Sequence, residues 1–215
     1  MCAKIQKIRT KTSEERLQQD LHRYRQLALQ LGAQDAKILA AQQIIVDDRV
    51  RMKCLHPICQ GYGTNIHCPP YVGSVDDTRK LVDQYQHALF IMLRVPVEDL
   101  VGARAYETQS STKSGQTLNA IVSQIESAAF YDGYHFATGF STGCKGLWCP
   151  DEACAALTPG QSCRHPLKAR AGMDAMGMDA YTMAAQAGWD IYPLGKDADP
   201  HAVPYGTRLG LVLIA

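Results

Sequence analysis

Cys54-Leu-His-Pro-Ile-Cys59-Gln-Gly-Tyr-Gly-Thr-Asn-Ile-His-Cys68-Pro69-Pro70 sets three thiols at intervals that recur 95 positions later, at Cys149, Cys154 and Cys163. Both copies read Cys-x4-Cys-x8-Cys, and a further thiol, Cys144, stands five positions before the second. Only Cys2 lies outside the pattern. Two unrelated loops would rarely share both intervals, so the chain reads as a duplication that kept its thiol spacing. Short loops that gather three or four thiols are the ligand supply of a metal ion or an iron–sulfur cluster.

The repeat extends outward from the cysteines. Leu17, Leu21, Tyr24, Leu27, Ala28 and Leu31 recur at helical spacing ahead of the first loop, and Leu118, Ile121, Ile125, Ala128 and Ala129 do so ahead of the second. Gly32 and Gly133 follow, as glycine does at a helix C-terminus. Extended apolar segments are expected over 36–46 and 135–140, then the cysteine loops, then helices over 76–86 and 173–187. Strands over 88–95, and over 189–192 with 208–214, close the two units. Helix, strand, cysteine loop, helix, strand, twice over, predicts an α/β fold: a pseudo-two-fold internal repeat with a mixed sheet and packed helices. The first repeat spans 1–106 and the second 107–215, as two units or one merged domain, with the boundary in a polar loop over 107–115.

With 215 residues, 46% of them hydrophobic, the chain can bury a sizeable core. A formal net charge of +1, from 22 basic and 21 acidic side chains, gives no field favouring nucleic acid or an anionic membrane as partner. Residues 1–20 are charged and lack the apolar stretch of a secretory leader, and no apolar run reaches membrane-spanning length. A cytoplasmic location is the expectation. In that reducing compartment clustered cysteines read as metal ligands before disulfides. Phosphate-binding, dinucleotide-binding and serine-nucleophile motifs are missing, so the common nucleotide and hydrolase readings have no foothold.

The seven candidate ligands are Cys54, Cys59, Cys68, Cys144, Cys149, Cys154 and Cys163. Cys-x4-Cys is compatible with a zinc knuckle and equally with the opening interval of a plant-type ferredoxin. Three or four ligands from one glycine-bearing loop favour iron–sulfur, with one or two clusters of the [4Fe-4S] type, and leave zinc as the alternative. Gly61 and Gly63 let the backbone wrap closely around an inorganic core. Copy two carries four thiols, whereas copy one carries three and has Arg49 where Cys144 would match. The first site therefore keeps an open iron, or takes its last ligand from Cys144, Cys2 or a histidine, with His56, His67 and His165 nearest in sequence. Arg164, His165, Lys168 and Arg170 follow Cys163 and read either as charge compensation for a cluster or as a solvated face. Met173, Met176, Met178 and Met183 read as core packing. Tyr62 and Trp148 read as shields or anchors of the loops.

The stretch Cys54 to Pro70, and that from Cys144 through Cys163-Arg-His-Pro-Leu-Lys-Ala-Arg-Ala-Gly-Met-Asp-Ala-Met-Gly-Met-Asp179, resemble an uncharacterised prokaryotic family of predicted metal-binding proteins, domain of unknown function 2284. The resemblance runs from about Lys37 to the C-terminus. The chain departs from it at Ala171-Gly172-Met173-Asp174, where the family more often has Pro-Ser-Met-Glu. It implies a cytoplasmic metal protein and supplies no reaction. Three functions compete: electron transfer to a redox partner protein, an enzyme with an open cluster iron as Lewis acid, and a zinc-stapled interaction module. Asp47, Asp48, Tyr62 and His67 are the proton-transfer candidates of the second reading. Nothing in the sequence speaks to oligomeric state.

Overall fold

Ala88-Leu-Phe-Ile-Met92 is apolar at five consecutive positions, the pattern of a strand covered on both faces, and each of these residues is at most 3% exposed. They lie in the computed structural model, which describes residues 8, 12–101, 109–195 and 197–215. In chain order its elements are α1 (Glu14–Gln30), β1 (Asp35–Ala40), α2 (Asp48–Met52), α3 (Val75–Val82), β2 (His87–Val95), α4 (Gln109–Tyr131), β3 (Thr138–Phe140), α5 (Lys145–Trp148), α6 (Ala180–Gln186) and β4 (Gly206–Leu213). The four strands form one sheet in the order β1-β2-β4-β3. Every neighbouring pair is antiparallel, with Ile38 opposite Leu89, Phe90 opposite Leu211, and Leu211 also opposite Phe140.

Strand alternation sorts the core into two layers. Leu89, Ile91, Val212 and Ile214 face Leu21 and Tyr24 of α1 and Leu118, Ile121 and Ile125 of α4. Phe90, Met92, Leu209, Leu211 and Leu213 face the other way, onto Met173, Met176, Met178, Met183 and Trp189. The methionines are thus packing residues, as their spacing suggests. Around them the segment after β3 is stitched to the entry of the first cysteine loop: Val46 bridges Met178, the Asp47 amide donates to the Gly177 carbonyl at 2.8 Å and the Asp179 amide to the Ile45 carbonyl at 2.8 Å.

Several expectations need correction. The sheet is wholly antiparallel, not mixed, because each half contributes strands in up–down order without a parallel crossover. Residues 109–115 open α4 instead of forming a loop; residues 107 and 108 lie outside those described, as does Cys2. Arg208 holds that helix start, its Nη2 donating to the Ser111 carbonyl at 2.9 Å and its Nε to Ser114 Oγ at 2.9 Å. Residues 189–192 form no strand: Trp189 stacks on Phe90 at 4.9 Å between centroids and donates its indole N–H to Asp35 at 2.9 Å. The extended segment at 36–46 ends at Ala40, in a 3-10 turn over Ala41–Gln43. Helix 76–86 stops at Val82, and 173–187 divides into a 3-10 turn, Asp174–Met176, and α6.

Where α1 meets the end of α4, Asp20 is only 6% exposed and accepts from Arg23 at 2.6 Å, Tyr134 at 3.0 Å and Arg16 at 3.2 Å. Burial alone would raise its carboxyl, but the bonds from Arg23, Tyr134 and Arg16 outweigh burial and lower it from the ordinary value of 3.8. A carboxyl lowered in the folded state contributes stability above its unfolded value and loses it as pH falls through the folded value. Asp20→Asn is therefore expected to cost roughly 1–3 kcal/mol at pH 7. The gap from wild type should close below about pH 4, as read by denaturant unfolding at several pH values. Gly210→Ala would place a Cβ 2.7 Å from Val122 Cγ2 and 3.3 Å from the Phe140 carbonyl. It should cost roughly 1–3 kcal/mol in the same assay through overpacking between β4 and α4.

Candidate metal centre

The first cysteine loop begins where α2 ends. Asp47 caps α2, accepting from the Arg49 amide at 2.8 Å and pairing with the Arg49 guanidinium at 2.6 Å. Asp48 pairs with Arg79. Both carboxylates are thus engaged in local ion pairs, which removes them as first choices for proton transfer. From Cys54 the backbone runs through a chain of tight turns: the Cys59 amide to the Cys54 carbonyl at 3.0 Å, Tyr62 to Cys59 at 3.0 Å, and Cys68 to Asn65 at 3.3 Å. Asn65, 1% exposed, holds the loop from inside, donating to the Gly61 carbonyl at 3.2 Å and accepting from the His67 amide at 3.0 Å.

Gly61 is the close approach that the sequence anticipates. Its amide lies 3.4 Å from Cys59 Sγ, and a Cβ there would sit 2.9 Å from Cys68 Sγ and 3.8 Å from Cys59 Sγ. Two thiols of the first loop therefore flank one glycine. The third, Cys54, is buried; burial pushes its thiol up to about 11, with Asp174 and then Cys59 adding to the rise. Asp174 acts on Cys68 in the same direction, behind burial. It is brought near by Arg51 of α2, which donates to the carbonyl of the neighbouring Ala175 at 2.5 Å.

The second loop gathers more completely. Cys144, Cys149, Cys154 and Cys163 all line one narrow crevice of about 20 Å³, partly open to solvent, together with Asn65 and His67 of the first loop. His67 Nδ1 stands 3.2 Å from Cys144 Sγ, and Cys144 Sγ is 3.5 Å from Asn65 Oδ1. The two loops thus meet at Cys144. Burial, followed by the neighbouring Cys68, Cys154, Cys163 and Cys149, pushes the Cys144 thiol up to about 12. Burial, then Arg170, lowers the His67 imidazole and favours its neutral form. Among the described residues, no three Cys, His, Asp or Glu side chains close on a single ion; the second-loop thiols surround a space instead.

Charged side chains brace this loop. Lys145 donates to the carbonyls of Cys149, Pro150 and Glu152, the last two at 2.8 Å. Arg164 pairs with Glu152 at 3.1 Å, and Arg170 pairs twice with Glu126, at 2.7 and 3.1 Å. Lys168 lies over the Trp148 ring, 5.1 Å from its centroid. The cations after Cys163 therefore serve mainly as struts, with carboxylates and an aromatic ring as partners. Lys145, which reaches three carbonyls, carries no sequence signal beyond its place beside Cys144. Trp148 lines the crevice, and its indole N–H is buried without a partner. His165 stacks near it at 5.9 Å, its amide 3.3 Å from Cys163 Sγ. Among the described residues, His56 has no side-chain hydrogen bond to a thiol to match that of His67.

An iron–sulfur core fits these residues on three counts: the all-thiol donor set of the second loop, the cradle at Gly61 that a Cβ would fill, and a Trp148 side chain in the crevice wall whose buried N–H has no partner. The family model described as "Predicted metal-binding protein (DUF2284)" matches residues 37–214, and the chain belongs to that family. No curated protein and no solved structure matches it.

Gly61→Ala should displace the Cys68 thiol and lower the metal content per chain by the share of the first loop. Gly146→Ala, where a Cβ would meet nothing within 4 Å, should leave it unchanged. Elemental analysis of the purified variants checks both.

Proposed function

We propose that this member of the predicted metal-binding family holds iron–sulfur clusters of the four-iron type and passes electrons to a redox partner protein in the cytoplasm. The observation that carries the reading is the convergence of four thiols, Cys144, Cys149, Cys154 and Cys163, on one crevice closed on one side by Asn65 and His67. Such a cluster supplies a site that gains and loses one electron at a potential set by hydrogen bonds and burial. The chain's own part is to hold and tune it. The four cysteines would ligate as thiolates, Trp148 would donate its free N–H toward the sulfur atoms, and His67 would fix the direction of the Cys144 sulfur. Cys54, Cys59 and Cys68 would hold a second centre.

Two further observations support the reading. Ile58, inside the first loop, is 69% exposed and Leu167, just after Cys163, is 82% exposed, so apolar side chains border both loops where a partner could dock. The halves of the chain also run in matching order, helix, strand, cysteine loop, helix, strand, with β2 and β4 paired at the centre of the sheet. This order supports the duplication inferred from the cysteine spacing. The three-thiol first loop favours a second reading, in which one iron there lacks a protein thiolate and acts as a Lewis acid in an enzyme.

Protein purified without oxygen is expected to contain about four or eight irons with matching sulfide, and to show visible and EPR signals of a reducible cluster. Cys149→Ser should remove the second-loop share of both. About one or two zincs without sulfide would overturn the redox reading and leave a structural module.

A further inference from the structure

The loop cysteines do not divide evenly. The repeat supplies three thiols to each loop, and Cys144 stands outside the repeated spacing. Its counterpart in the first half, Arg49, has a side chain 89% exposed and paired with Asp47. The first loop therefore has no fourth thiol of its own, and the group that comes closest to filling the place is Cys144 itself.

Cys144 is held at the junction of the two loops. The Leu147 and Trp148 amides donate to its carbonyl at 3.1 and 2.9 Å. Asn119 of α4, fully buried, donates to the Gly143 carbonyl just before it at 3.1 Å. On the first-loop side its sulfur lies 3.2 Å from His67 Nδ1 and 3.5 Å from Asn65 Oδ1. His67 directly precedes Cys68, and the Cys68 and Cys59 sulfurs flank Gly61. On the other side Cys144 lines the narrow crevice with Cys149, Cys154 and Cys163. Electrostatics agree with this placement. After burial, Cys68 does most to push the Cys144 thiol up, ahead of Cys154, Cys163 and Cys149.

We propose that the Cys144 sulfur is a ligand common to both metal centres, completing the three thiols of the first loop and the three of the second. This rests on the iron–sulfur reading for the identity of the metal: with Cys144 shared, seven thiolates complete two four-thiolate sites. The thiol gives up its proton to solvent on binding, and the thiolate offers one lone pair to each centre. One lone pair remains, and His67 Nδ1 is placed to donate to it.

The full-length protein, purified without oxygen, is assayed for iron and sulfide, then oxidised mildly and read by EPR. A four-iron core with only three protein thiolates readily loses its unsupported iron and shows a three-iron signal. Wild type, with both cores complete, should show almost none. Cys149→Ala should give about one such spin per chain and Cys144→Ala about two, because Cys144 alone serves both centres. Asp174→Ala removes the competing ligand, a carboxylate that acts behind burial on both Cys54 and Cys68, and should behave as wild type. Fully reduced wild type should integrate to well under about two unpaired spins per chain, since a common sulfur couples the cores. Wild type decides the matter even if Cys144→Ala holds no metal. About one three-iron spin after oxidation, or about two independent spins after reduction, overturns the proposal. A total of about four irons per chain overturns it as well and leaves the redox reading intact. If the metal is zinc, the redox reading fails, and the shared sulfur is tested on protein produced in cobalt-supplemented medium. Two cobalt ions joined by one thiolate should have a magnetic moment below that of two independent ions. A single cobalt per chain, or the full moment of two, overturns the proposal.

Discussion

The pairing of β2 with β4 is the constraint on which the rest of the molecule depends. Residues 88–95 and 206–213 run antiparallel in the middle of the sheet, and this ladder joins the strands of the two cysteine-bearing halves. Both strands are buried on both faces, so their side chains anchor the helical layer on one side and the methionine-rich layer on the other. The methionine layer is in turn stitched to the entry of the first cysteine loop through Val46, Asp47 and Asp179. The position of the first thiols is therefore inherited from the sheet through a short series of backbone bonds. Local loop propensity alone would leave those thiols at the end of a five-residue helix with little to hold it.

The second loop is held differently. It has little regular structure, a four-residue helix and one 3-10 turn, and its shape comes from side chains that satisfy backbone carbonyls. Lys145 alone reaches three of them. A charged amine bound by carbonyls of one segment turns a flexible stretch into a defined wall, at the cost of side-chain entropy paid once for three bonds. The meeting of His67 and Asn65 with Cys144 then makes the two loops one polar assembly. The raised Cys54 and Cys144 thiols follow from the same crowding: burial and neighbouring sulfur both disfavour the thiolate until a cation is present to share its charge.

How much of this was legible in the sequence depends on the range of the interaction. The long helices were legible because Leu17, Leu21, Tyr24 and Ala28, and Leu118, Ile121 and Ile125, each write a face at helical period. β2 was legible because five successive apolar residues suit a strand covered on both sides. β3 was legible as part of the extended segment expected over 135–140, of which Thr138–Phe140 is strand, whereas the polar start of α4 resembles a loop because Arg208, nearly a hundred positions away, supplies its bonds. Trp189 and its neighbours carry strand-like composition, yet the indole meets Phe90 and Asp35 and the segment pairs with no strand. At the site, the cysteine spacing was plain and Gly61 could be anticipated from its chemistry. The contact of His67 with Cys144 spans 77 positions and belongs to tertiary structure alone.

The place of β4 in the chain order has a consequence for biosynthesis. All seven loop cysteines precede it, Cys163 by more than forty positions, yet β4 is a central strand of the sheet that orients them. On the ribosome every thiol emerges before the sheet can close, and at ordinary elongation rates that interval lasts seconds. For that time the cysteines are accessible nucleophiles on an unfinished scaffold. The window in which those thiols lack the finished sheet runs from the emergence of Cys163 to the zipping of β4 into the gap between β2 and β3.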